Sequence, residues 1–159
     1  MNPALSHHQT ACRSLSSAGL IRLVSEIDDH GAIPPRALAR TLSDLSTTQI
    51  RTAMEQADRL GLLDRSGSGL GLSPAGRGLA DLYDAIARWA RHHNHPQRIG
   101  TFTERIRSVL SVLAEPASTE PLLRDDDATT GLGHIRRLLA DWVETHQQPE
   151  HQSSYGVAA

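Results

Sequence analysis

Ser46, Thr47, Thr48, Arg51 and Thr52 form the densest group of hydrogen-bonding side chains in this chain that fall at positions suited to a common task. Short hydroxyls and a planar guanidinium are the groups that read base edges and grip phosphates, so the chemistry they suggest is recognition, not bond-making. Arg36 and Arg40 upstream, and Arg65, Ser66 and Ser68 downstream, add groups of the kind that contacts a phosphate backbone. Glu55 stands four residues after Arg51, where it is placed to pair with the guanidinium and mute both charges.

Other reactive residue types are sparse. Cys12 is the only cysteine, which rules out an intramolecular disulfide and fits a reducing compartment. His92, His93 and His95 belong to the commonest metal-ligating type. Adjacent positions on a helix do not converge on one ion, however, and a cationic helix end suits the helix dipole, so no metal is expected. Asp125-Asp126-Asp127 lacks the spaced ligands and glycine of a calcium loop and reads as solvated. There is no Ser-His-Asp signature, P-loop or His-Glu-x-x-His, so neither enzymatic activity nor a cofactor is expected.

The elements that must carry these residues follow from periodicity. Ile50, Ala53, Met54, Ala57 and Leu60 recur at helical spacing, Ser46 and Gln49 make a capping box, and Gly61 is a stop. The helix over 46–60 therefore turns Thr47, Thr48, Arg51, Thr52 and Glu55 to its opposite face. Before it, Leu20, Leu23, Val24 and Ile27 mark a helix ended by Gly31, Ala32-Ile33 a brief strand, and Pro34-Pro35 the start of a helix through Leu38 and Leu42. After it, two apolar runs around Ser66-Gly67-Ser68-Gly69 predict a small hairpin.

Ser73-Pro74 opens the next helix, with Leu79, Leu82, Tyr83, Ile86 and Trp89 or Ala90 as its buried face. Thr101 and Glu104 cap another, carrying Phe102, Ile106, Val109, Leu110 and Leu113. Residues 117–130 read as a polar linker, and Leu132, Ile135, Leu138, Leu139 and Trp142 define the last helix. No internal repeat is evident.

Helix, short strand, helix, helix, hairpin, helix is the order of a winged helix-turn-helix. The expected fold is mainly α with a small β-wing and a C-terminal helical extension. Four segments follow: a flexible N-terminus (1–14), a winged-helix DNA-binding domain (15–96), C-terminal helices for dimerisation or a partner (97–147), and a disordered tail (148–159). The apolar stripes of the first helix and of those beyond residue 101 exceed what a core of roughly 80 residues can cover, which predicts a homodimer.

Composition narrows the partner. The 159 residues include 38% hydrophobic and only 3% aromatic types, so the core must be aliphatic. No apolar run approaches the roughly 18 residues of a membrane span and no signal segment opens the chain, so no membrane partner and a cytoplasmic location are expected. Net charge is −2, but thirteen arginines face ten acids up to residue 107, and three face eight beyond it. The absence of lysine carries no functional weight. No aromatic residue lies between 30 and 82, which disfavours stacking on single strands and leaves double-stranded DNA as the expected ligand.

A family resemblance agrees. The segment Gly31-Ala-Ile-Pro-Pro-Arg-Ala-Leu-Ala-Arg-Thr-Leu-Ser-Asp-Leu-Ser46 resembles the helix-turn-helix of the HxlR group within the broader MarR-like regulators. Leu60-Gly-Leu-Leu-Asp-Arg65 is similar to their step into the wing, and Leu72-Ser-Pro-Ala-Gly-Arg-Gly-Leu79 and Asp81 to Arg91 to the segments leaving it. The resemblance covers about residues 12 to 95 and implies a dimeric transcription factor, often a repressor, on a palindromic operator. It also implies Cys12 as a redox switch, because some members carry a cysteine before the first helix; a small molecule is the other expected signal. The wing lacks a basic tip, and the C-terminal helices have no counterpart in that group. The segment after the wing also resembles the DNA-free dimerisation domain of small-molecule O-methyltransferases, but no strand and glycine-rich cofactor loop follows residue 96. Because winged helices also dock proteins, the alternative is a protein-interaction module whose acidic C-terminal half meets a partner.

Overall fold

A computed structural model describes residues 3–95, 100–115 and 126–147. Among them the order is α1 (Pro3–Leu15), α2 (Ala18–His30), a 3₁₀ turn (Pro35–Ala37) leading into α3 (Leu38–Thr41), α4 (Thr47–Arg59), β1 (Leu63–Asp64), β2 (Gly71–Leu72), α5 (Pro74–His92), α6 (Phe102–Ala114) and α7 (Asp126–His146). The protein is mostly helical, with one small antiparallel sheet.

Local sequence signals explain most boundaries. Side chains of Ser17, Ser46, Ser73 and Thr101 each accept an amide hydrogen bond three residues on, satisfying donors that a helix start leaves open. At α4 and α6 the capping box is complete, with Gln49 and Glu104 reaching back. Gly31, at φ 85°, closes α2 in a conformation that a β-carbon would strain. In the hairpin Leu63 pairs with Leu72 and Asp64 with Gly71. Ile33 and Leu70 exchange two backbone hydrogen bonds of 3.0 and 2.7 Å, so the expected strand at 32–33 is a single bridge against the hairpin edge.

The N-terminus departs from expectation. Most of the segment 1–14, expected to be flexible, belongs to α1 (Pro3–Leu15), which packs on α6. The segment is polar on most of its surface, but Cys12 and Leu15 are buried, and His8 Nε2 lies 3.1 Å from the Leu113 carbonyl. Tyr83 from α5 then donates its hydroxyl to the Leu15 carbonyl at 2.6 Å, anchoring the end of α1 in the interior.

One hydrophobic cluster runs through all of this, from Cys12 and Leu15 through Leu20, Val24, Ala53 and Tyr83 to Leu110, Leu139 and Trp142. The division expected near residue 96 is therefore not a division of the core. The expected linker also ends early: α7 begins at Asp126, with Ala128 already buried. The stripes of α1, α6 and α7 are covered by one another and by α5. Among the described residues Leu5 alone is an exposed large hydrophobic, so surplus apolar surface no longer argues for a homodimer.

A repeat also emerges that the sequence pattern did not reveal. Ala75, Gly78, Leu79 and Trp89 on α5, with His93 at its C-cap, recur at the same spacing as Ala128, Gly131, Leu132, Trp142 and His146 on α7. The two helices pack antiparallel, each tryptophan against the other helix's glycine.

Candidate nucleic-acid interface

Helix α4 is held by one side. Ile50, Ala53 and Ala57 are buried, Met54 and Leu60 partly so, mainly against α2. At Gly19 of α2 the backbones come so near that a β-carbon would lie 3.2 Å from that of Ala53. The stripe that the sequence assigned to the core is the stripe that docks.

The other side is open. Thr47, Thr48, Arg51, Thr52 and Glu55 are all exposed. No ion pair within 4.0 Å engages Arg51 among the described residues, so the expected muting by Glu55 is not present. Ser46 is committed to the cap: its oxygen accepts from the Gln49 amide at 3.1 Å, and its own amide donates to Gln49 Oε1 at 2.8 Å. The first amides of α4 beyond that cap point past the helix end, where the helix dipole favours an anion.

Arg36, in the 3₁₀ turn, and Arg40, on α3, are exposed. The turn between α3 and α4 is braced from below. Arg22 grips Asp44 with two hydrogen bonds, of 2.8 and 3.0 Å, and that bond holds the Asp44 carboxyl below its ordinary range. One acid near the interface is thereby neutralised by an arginine behind it.

Arg65 requires a correction. Its guanidinium Nη2 donates to both carboxylate oxygens of Asp58 at 2.9 Å, so the base of the hairpin is not a free cation. The pair spans the turn after α4, seven residues apart, beyond any single-helix rule. Ser66 donates its amide to Asp64 at 2.8 Å and fixes the start of the hairpin loop, while Ser68 is simply exposed. Ser66 is thus a turn-former as well as a candidate contact.

Cys12 also requires correction. It is 1% exposed, and burial pushes its thiol up to about 11, against a modest opposing pull from Arg136. A thiol so protonated and covered is a poor nucleophile. His95 is half-buried, with its imidazole lowered by desolvation and within 3.0 Å of the Ser108 hydroxyl. It belongs to the α5–α6 packing.

The metal-ligand expectation was drawn too locally. His92 at the end of α5, His93 at its C-cap and Asp127 of α7 place one ligand atom each within 4.8 Å of one another. Asp127 comes from an element far away in sequence, which adjacent-residue reasoning cannot anticipate. Asp125 lies outside the described residues.

Beside the C-terminal end of α4 the described residues line a pocket of about 340 Å³, open on one side to solvent, formed by His7, Ala11, Leu15, Leu60, Trp142 and Val143 among others. Two side chains tie the end of α4 to its walls: Gln56 donates to the Ser14 carbonyl at 2.5 Å, and Gln147 donates to that of Leu60 at 3.1 Å. No family model, curated protein or solved structure matches the chain.

Proposed function

We propose that the chain is a winged helix-turn-helix transcriptional regulator of the HxlR-like or MarR-like kind, which reads double-stranded DNA with α4 in the major groove. The observation that carries this reading is the uncovered Thr47, Thr48, Arg51 and Thr52 face of a helix docked by its opposite side. Arg51 suits a guanine edge, and the threonines suit phosphates and thymine methyls. Arg36 and Arg40 suit the backbone, and the β1–β2 hairpin is the wing.

Reading of a palindrome as a repressor requires two such helices about 34 Å apart, hence a second copy. Because the apolar stripes of α1, α6 and α7 are already covered within the chain, pairing would have to employ surfaces other than those stripes. The signal is better sought in a small molecule than in redox chemistry. Cys12 is sealed, whereas the cavity against Leu60 falls in the size range of ligand pockets and abuts the end of α4.

The second reading, a docking module for protein, draws on one observation. Asp44, Glu55, Asp58 and Asp64 nearly balance the arginines around α4, and Arg65 is paired. Duplex DNA of random sequence, titrated at rising salt, separates the two readings. The regulator binds at low salt and loses affinity steeply as salt rises. Against a selected operator, Arg51→Ala should cost about 1–3 kcal/mol, and Arg36→Ala should weaken all sequences alike and flatten the salt dependence. No binding at low salt, or wild-type behaviour of both variants, refutes this placement of the interface.

A further inference from the structure

The α5–α7 pair is locked by two equivalent clasps. Trp89 donates its indole N–H to the Ala128 carbonyl at 3.1 Å and sits over Gly131. At the other end Trp142 donates to the Ala75 carbonyl at 2.9 Å and sits over Gly78. One turn beyond each tryptophan a histidine leans on its ring: His93 with centroids 4.9 Å from Trp89, and His146 at 5.7 Å from Trp142. Glycine is needed because α7 passes so close that a β-carbon at Gly131 would lie 2.7 Å from Trp89 Cδ1. These contacts fix the register of the helices to a single residue.

At the Trp89 end that register brings His92, His93 and Asp127 together, with His92 Nε2 4.0 Å from Asp127 Oδ2. At the Trp142 end the corresponding positions hold Thr145, His146 and Pro74. The clasp therefore works without the counterparts of His92 and Asp127, and their convergence at one end is not a requirement of packing.

We propose that His92, His93 and Asp127 bind a divalent transition metal, with zinc the best fit. Two imidazoles and one carboxylate match its borderline preference and leave a fourth position to water. Ligand bonds of about 2.0–2.2 Å put neighbouring ligand atoms of a tetrahedral ion roughly 3.5 Å apart. The atoms here need draw together by at most about 1.3 Å, a distance that side-chain rotation at the exposed His92 and Asp127 covers. The Trp89 ring packs on the His93 imidazole and limits its rotation. The ion pins the end of α5 to the start of α7.

The test uses the full chain, free of any affinity tag, with zinc and cobalt(II) as probes. One zinc per chain should bind and raise Tm by roughly 5–10 °C at a hundredfold excess over Kd. Cobalt should show visible d–d bands without a sulfur-to-metal charge-transfer band. His92→Ala and Asp127→Asn should each weaken zinc at least about tenfold and lose the cobalt bands, with unchanged circular dichroism. His8→Ala should leave both intact. No saturable zinc binding, binding undiminished in both variants, or a thiolate band implicating Cys12, whose Sγ lies 3.7 Å from His8 Nε2, would overturn the site.

Discussion

Glycine in the middle of a helix ordinarily weakens it, so replacing one with alanine ordinarily helps, by about 1 kcal/mol. Helix α7 offers that experiment twice, two residues apart. A β-carbon at Gly133 meets nothing within 4 Å, so Gly133→Ala should stabilise by nearly the full propensity gain. A β-carbon at Gly131 would lie 2.7 and 2.9 Å from Cδ1 and Nε1 of Trp89, a ring that is 8% exposed and bonded to Ala128. Making room means forcing the helices apart or turning the indole. Overpacking costs about 1–3 kcal/mol and a buried N–H left without its acceptor about 1–3 kcal/mol more if the bond breaks. After the propensity gain is deducted, Gly131→Ala should destabilise by about 2 kcal/mol. Gly78→Ala, whose β-carbon would lie at 3.2 and 3.4 Å from Trp142, should fall near zero. Urea denaturation of the three variants, compared at equal m, reads the order directly. If Gly131→Ala is as stable as Gly133→Ala, the indole is not seated in a glycine notch, and the register on which the α5–α7 geometry depends is wrong.

Removing the acid beside Arg65 should unmask it: Asp58→Asn is expected to tighten binding to random duplex at low salt and steepen the salt dependence by about one phosphate contact. Its effect on stability should stay within about 0.5 kcal/mol, because the pair is about half exposed on each side; unchanged DNA affinity would remove Arg65 from the interface. Cys12 should make the fold sensitive to alkali. Its thiol is raised in the folded chain, so its stabilising contribution is full below the unfolded value near 9.0 and is lost as pH rises toward about 11. The Tm difference between wild type and Cys12→Ala should therefore shrink over that window, and a difference that stays constant would show the thiol to be accessible. Tyr83→Phe leaves the Leu15 carbonyl without its donor and should cost about 1–3 kcal/mol in urea denaturation; a neutral result would detach α1 from α5.

The contrast between α4 and α1 shows what a sequence can and cannot announce. Helix α4 declares itself within fifteen residues: the capping box, the apolar stripe and the terminal glycine are all local, so the exposed face follows from the buried one. Helix α1 has only Cys12 and Leu15 turned inward with certainty, and its serines and histidines outweigh them in any window. What makes it a helix is α6 and Tyr83, both far along the chain, and tertiary packing of that kind leaves no local trace. The same reason hid the covered stripes of α6 and α7. Each looks like a surface awaiting a partner until the other helices of the same chain are seen to fill it.

Charge was misread for a related reason. A tally of arginines treats every guanidinium as available, yet availability is set by distances that sequence separation does not encode. Arg22 is drawn to Asp44 and Arg65 to Asp58, so two of the cations nearest α4 are committed to acids that are themselves near it. The result removes acid and base together and leaves Arg36, Arg40 and Arg51 facing outward without a salt bridge among the described residues. With the paired groups set aside, Arg36, Arg40 and Arg51 face outward with Glu55 and Asp64 as the nearby acids, a small local excess of arginine in a chain of net charge −2. If α4 meets DNA as proposed, a phosphate would compete with Asp58 for Arg65, because the pair is exposed and weak. Affinity that grows by more than one arginine's worth as salt falls would be the signature of that exchange.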